Sequence, residues 1–189
     1  MTSTSTSASD APIEIAAADP SWPAQFGAER DRLQAVLGPW LAGAIEHVGS
    51  TAVPGLAAKP VIDIMAPVHT LDGSVAAIDA ARSLGYHHHP YLPDVMHWFC
   101  KPSPAHRTHH LHLVPLGSPR WVGALAFRDA LRRDPGRAAA YEALKRALAQ
   151  RFPHDREAYT EGKAAFVNEV VADALRDRLD AMAVGMPSR

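Results

Sequence analysis

Two strand-like runs lie close together in this chain, Ala44–Gly49 and Val61–Met65, joined by a turn-rich stretch from Ser50 to Pro60 that holds two prolines and Gly55. The first run delivers Gly49-Ser50-Thr51 to the turn. The second sets β-branched residues around one acid, Asp63. Such a strand end offers small side chains, free backbone N–H groups and two hydroxyls, which suits close approach of a phosphate. An acid on the adjacent strand would then hold a divalent cation against that phosphate. An ordinary strand, tight turn and strand, with Gly49 and Gly55 serving backbone geometry, accounts for the same residues.

Around this pair the chain reads as a helix, a small sheet and a helical last third. Trp22, Phe26, Leu33 and Leu37 share one face of a helix predicted from about Pro20 to Leu37, which Gly38-Pro39 ends. Leu71, Val75 and Ile78 mark a second helix, stopping at Gly85. Tyr86–Lys101 and Thr108–Leu116 read as strands with Pro-containing turns. Ser118-Pro119 and Asp134-Pro135 each place a capping residue before a proline, predicting two helix starts. Tyr159, Phe166 and Val170 extend the same period into a third helix ending near Arg178. The expected class is α/β (α+β), in one domain over residues 11–178, between a disordered Ser/Thr-rich tail at residues 1–10 and a frayed end at 179–189.

Composition removes several functions. The 189 residues carry 20 acidic against 19 basic side chains, so no basic field supports nonspecific nucleic-acid binding. No run reaches the length of a membrane span, and the N-terminus lacks the pattern of a secretory signal, so a cytoplasmic protein is expected with no membrane partner. The single Cys100 has no internal disulfide partner and no evident base, and the chain has no Gly-x-Ser-x-Gly elbow, P-loop or Cys-x-x-Cys pair.

The whole pattern His47-Val-Gly-Ser-Thr-x-Val-Pro-Gly-Leu-x-x-Lys59-Pro-x-Ile-Asp63-Ile resembles the signature of the GrpB family. Arg107-Thr-His-His110-Leu-His112 is similar to that family's Arg-x-x-His-Leu-His segment. Phe127–Arg132, Tyr141-x-x-Leu144-Lys145 and Tyr159-Thr-x-x-Lys163 resemble its helical C-terminal motifs. The resemblance covers roughly residues 11 to 178. It implies a nucleotidyltransferase-like small mixed β-sheet flanked by helices, and binding of a nucleotide or other small phosphorylated ligand. Related domains are fused to dephospho-CoA kinases, which also implies a coenzyme-associated accessory role.

Enzymes of that superfamily hold two metal ions on two or three carboxylates. Here the residue sharing a strand face with Asp63 is Met65, a poor ligand for Mg²⁺. The strand expected to supply a third carboxylate carries His110 and His112 instead, on one face. Beside Asp63 these would form a two-histidine, one-carboxylate metal set suited to Zn²⁺ or Mn²⁺ more than Mg²⁺. Hydrogen bonding to neighbours, or direct contact with an anion, explains the same histidines.

Asp63 is the catalytic candidate. His47, Gly49, Ser50, Thr51, Lys59 and Arg107 are the candidates for phosphate or substrate binding, the two cations because long donors near strand starts can reach a phosphate. Arg128, Arg132 and Lys163 would close the pocket from the helical side, although the acids among them also fit a plain solvated face. Two functions are expected: nucleotidyl or phosphoryl transfer with a divalent metal, or a catalytically inactive nucleotide-binding or regulatory module.

Overall fold

The computed structural model describes residues 12–184, so the tail expected over residues 1–10 lies outside the described residues. The described residues form a five-stranded mixed sheet of β1 (Glu46–Val48), β2 (Ile62–Val68), β3 (His87–His89), β4 (His97–Pro102) and β5 (Arg107–Pro115), in the order β1-β2-β5-β4-β3. Only the central β2–β5 pair is parallel. Those two strands are the longest, and β2 runs three residues past the expected end because Ala66, Pro67 and Val68 also pair with β5.

One face of the sheet is closed by α1 (Trp22–Leu37) and α2 (Ala77–Arg82). Trp22, Leu33 and Leu37 of α1 are buried against Ile62, Ile64, Ala66, Leu111 and Leu113, which makes this the main core. The helix expected after Leu71 is broken: a 3₁₀ turn at Asp72–Ser74 precedes the six-residue α2, and Val75, assigned above to the apolar face, is 56% exposed. Gly85 closes the segment at φ 82°, a left-handed conformation that glycine adopts without a Cβ penalty.

The opposite face receives α3 (Pro119–Arg133), on which α4 (Pro135–Arg151) and α6 (Ala164–Val184) pack, with α5 (Arg156–Glu161) against α4. Both cap-and-proline signals mark real starts: Ser118 accepts from the Trp121 N–H and Asp134 from the Arg137 N–H. The third predicted helix is two helices, separated at Gly162 and Lys163, and the second continues to Val184 beyond Arg178. Of the end expected to fray, residues 185–189 lie outside the described residues. No helix among the described residues is long and apolar enough to cross a membrane.

Candidate functional site

Alternation along the sheet decides which residues meet. Val48 pairs with Asp63, Asp63 with His110 and Met65 with His112, so all five side chains stand on the face that α3 to α6 cover. Asp63 Oδ1 accepts from His110 Nδ1 at 2.9 Å and lies 3.9 Å from His112 Nε2. One ligand atom from each of these residues lies within 4.8 Å of the others. Met65 is 1% exposed and packs with Val48, Met96 and Val114, so the position a second carboxylate would take is core.

Gly49 presses on this cluster. Its backbone sits at φ 71°, ψ −170°, and a Cβ added there would lie 2.4 Å from Asp63 Oδ2. Both the conformation and the close approach require glycine. The chain then turns through a 3₁₀ segment, Ser50–Ala52, clamped by Arg132, whose Nε and Nη2 donate to the Ala52 carbonyl at 2.9 and 2.8 Å. Arg128 donates to Glu46 Oε2 and the His47 carbonyl, tying α3 to β1. These two arginines hold the turn and strand in place.

The electrostatics follow from burial and pairing. Burial works to raise the Asp63 carboxyl, but the hydrogen bonds and charges of His110 and His112 together outweigh it and hold the group well below the usual carboxylate range. Burial lowers His112, against the upward pull of Asp63, so its imidazole is neutral at pH 7. His112 Nδ1 lies 3.3 Å from Met96 Sδ and its Nε2 lies 3.9 Å from Asp63 Oδ1. His110 Nε2 is buried with no hydrogen-bond partner among the described residues.

Not every candidate joins this cluster. His47 pairs with Ile64, on the other face, where it stacks on Phe26 at 4.6 Å and bonds through Nε2 to Thr51 Oγ1 at 2.9 Å. Thr51, 3% exposed, also donates to the Val61 carbonyl, so its hydroxyl braces the turn from beneath. Lys59 is half-buried in the segment leading into β2. Arg107 reaches the site side through a register shift at Lys101/Pro102: its guanidinium lies 5.2 Å from the centre of the Trp98 ring, which is 5.3 Å from His110.

The helices contribute two tyrosines given no role above, beside Lys163, which was expected to close the pocket. Tyr141 lies against Ser50, and the Asp63 charge reaches Tyr141, Tyr159 and Lys163. Burial first, with Asp63 adding to it, pushes Tyr159 up to about 12, and burial brings Lys163 down to about 8 against the pull of Asp63. Gly162 lets the α5–α6 junction approach α4, since a Cβ there would meet Leu148 Cδ2 at 2.5 Å. The signal in the sequence is a repeated Tyr-x-x-x-Lys spacing, Tyr141/Lys145 on one face of α4 and Tyr159/Lys163 across the end of α5. The ammonium-to-ring distances are 5.0 and 4.2 Å.

The sequence model of the GrpB protein family matches residues 12–173, a span that takes in the sheet, the turn and the Tyr-Lys pairs. A UPF0157 protein of Pseudomonas aeruginosa is 44% identical over 176 residues, covering 89% of this chain and 70% of its own. A dephospho-CoA kinase of Mycolicibacterium paratuberculosis is 34% identical over 182 residues, which are 81% of this chain and 44% of the kinase. The crystal structure of the conserved protein GrpB from Enterococcus faecalis superimposes with a TM-score of 0.79 at 31% identity, covering 88% of this chain and 99% of that one. By sequence across nearly all the described residues, and by fold, this chain belongs to the GrpB family.

Proposed function

We propose that this protein binds a nucleotide or other phosphorylated small molecule, with the phosphate at the Gly49–Ser50 turn and a divalent ion on Asp63, His110 and His112. The observation that carries this reading is the convergence of those three side chains directly under Gly49. The donors fit one cation. His112 Nε2 and Asp63 Oδ1 lie 3.9 Å apart, and one ligand atom of each of the three residues lies within 4.8 Å of the others, a spacing that lets one ion take all three. Two nitrogens and one oxygen suit Mn²⁺ or Zn²⁺ better than Mg²⁺. A two-Mg²⁺ arrangement does not fit, because Met65 is packed into the core.

When bound, such an ion supplies Lewis-acid charge to a phosphoryl oxygen or lowers the pKa of a bound water. Asp63, held ionised by its histidines, is the anionic ligand, and Ser50 offers the turn's hydroxyl beside Tyr141. Arg107 spends Nε on the Pro104 carbonyl and has its remaining guanidinium N–H groups to offer an anion above Trp98. The reaction class is phosphoryl or nucleotidyl transfer, or phosphoester hydrolysis. The buried Met65 favours a second reading, a binding module without turnover. The likeness to part of a dephospho-CoA kinase makes coenzyme A precursors the first ligands to try.

The test is thermal stability against nucleotides, coenzyme A precursors and sugar phosphates, each with Mn²⁺, Zn²⁺, Mg²⁺ or chelator. A ligand at about 100 times its dissociation constant adds about 2.7 kcal/mol, a midpoint rise of roughly 5 to 10 °C for a chain of this size. A rise that needs both ligand and ion supports the metal-assisted site, and turnover lost in Asp63→Asn separates enzyme from binder. A rise undiminished by chelator favours the binding module, and no rise across the panel contradicts both.

A further inference from the structure

The helical wall opposite the sheet holds a charge that the fold leaves unused. Lys163 stands at the α5–α6 junction, half-buried, with its ammonium 4.2 Å from the centre of the Tyr159 ring. Among the described residues it makes no hydrogen bond and no ion pair. The opposite charge that reaches it is Asp63, which is engaged with His110. Lys145 lies near enough to feel it as a like charge, but Lys145 is committed, its ammonium donating to the Ala57 carbonyl. One of the two lysines therefore braces the turn, and the other lies within electrostatic reach of Asp63 with its donors open.

A half-buried ammonium held against a ring, with no hydrogen bond or ion pair among the described residues, keeps its donors available to a ligand. Beside it, Gly162 lets the α5–α6 junction lie close to Leu148 on α4. We propose that Lys163 binds a phosphoryl group of the ligand from the helical side, opposite Asp63, so that the ligand is a compact phosphate ester or pyrophosphate enclosed between sheet and helices. This rests on the phosphate-binding reading above. It makes the C-terminal third part of the binding site, and the Tyr159 ring the platform that orients the ammonium.

The experiment compares the full-length wild type with Lys163→Met, Lys163→Gln and Lys163→Arg. Three quantities are read for each: the unliganded thermal midpoint, Mn²⁺ affinity alone, and inorganic pyrophosphate affinity in the presence of Mn²⁺. Losing a hydrogen bond to a charged group reduces pyrophosphate affinity by about tenfold or more in the Met and Gln variants. Arg restores most of it, and Mn²⁺ affinity alone stays unchanged. Removing a half-buried ammonium that makes no hydrogen bond or ion pair among the described residues leaves the unliganded midpoint of Lys163→Met at or above that of the wild type. A lysine serving only to stabilise α5 through the ring predicts the reverse: a lower midpoint and undiminished pyrophosphate affinity. That result overturns the inference while leaving the phosphate-binding reading intact. Failure of the wild type to bind pyrophosphate or any other phosphate overturns both.

Discussion

Replacing Gly49 with alanine tests whether the turn and Asp63 are fitted to each other as described. Gly49 sits at φ 71°, ψ −170°, a region that costs an L-residue about 1–3 kcal/mol. The added Cβ would lie 2.4 Å from Asp63 Oδ2 and 3.0 Å from Asp63 Cβ, and relieving such overpacking costs about 1–3 kcal/mol more. The sum is about 2–6 kcal/mol, and at its midpoint the thermal transition falls by roughly 8–16 °C. Urea denaturation at pH 7 measures the free energy. A double-mutant cycle isolates the carboxylate's share, because Asp63→Ala removes the contacts with Oδ2 and Cγ and leaves the backbone strain and the tight contact with the residue 63 Cβ. The coupling between Gly49→Ala and Asp63→Ala is therefore in the direction of rescue and about 1–2 kcal/mol, part of the overpacking cost. A Gly49→Ala protein within about 0.5 kcal/mol of wild type, or a pair of additive substitutions, would falsify the placement of the turn on the carboxylate.

Three further outcomes follow from the same geometry. Arg132→Met deprives the buried Ala52 carbonyl of both its side-chain donors and costs about 1–3 kcal/mol in urea denaturation, whereas no loss would mean that the clamp is incidental. Glu29, 3% exposed in α1, accepts from both Tyr86 and Lys101, so Glu29→Ala strands a largely buried ammonium and destabilises by about 3–5 kcal/mol, well beyond the effect of Tyr86→Phe. Burial brings the His47 imidazole down from 6.5 to about 4, so the unfolded chain takes up the proton first as pH falls. Its contribution, about 3 kcal/mol, is complete above pH 6.5 and lost progressively toward pH 4, and the stability profile of His47→Gln is flatter across that window.

The site was legible in the sequence as far as strand alternation carries. Period two puts Asp63 and Met65 on one face, and His110 and His112 on one face, before any partner strand is known. The parallel register of β2 and β5 then sets Asp63 beside His110. Register is a tertiary fact, and where it governs, the sequence was silent. His47 lies near the turn in sequence but on the opposite face, because Val48 rather than His47 pairs with Asp63. Arg107 joins the site side through a register shift that no residue pattern announces. The cap-and-proline signals located two helix starts because capping is local chemistry. The last predicted helix splits at Gly162, where the chain lies close to Leu148 on another helix, and periodicity along one segment does not carry that contact. The same long-range packing brings Tyr141, Tyr159 and Lys163 over Asp63, and their Tyr-x-x-x-Lys spacing alone does not say what they face.

Metal binding by the purified protein tests the central claim most directly. Titration with Mn²⁺, followed by the loss of free-ion electron paramagnetic resonance signal, is compared between wild type and Asp63→Asn, with circular dichroism verifying that both are folded. The account predicts a single saturable equivalent of Mn²⁺ per wild-type chain, displaced by Zn²⁺ and abolished in Asp63→Asn. No saturable binding, or binding of the same stoichiometry and affinity in the variant, would contradict it.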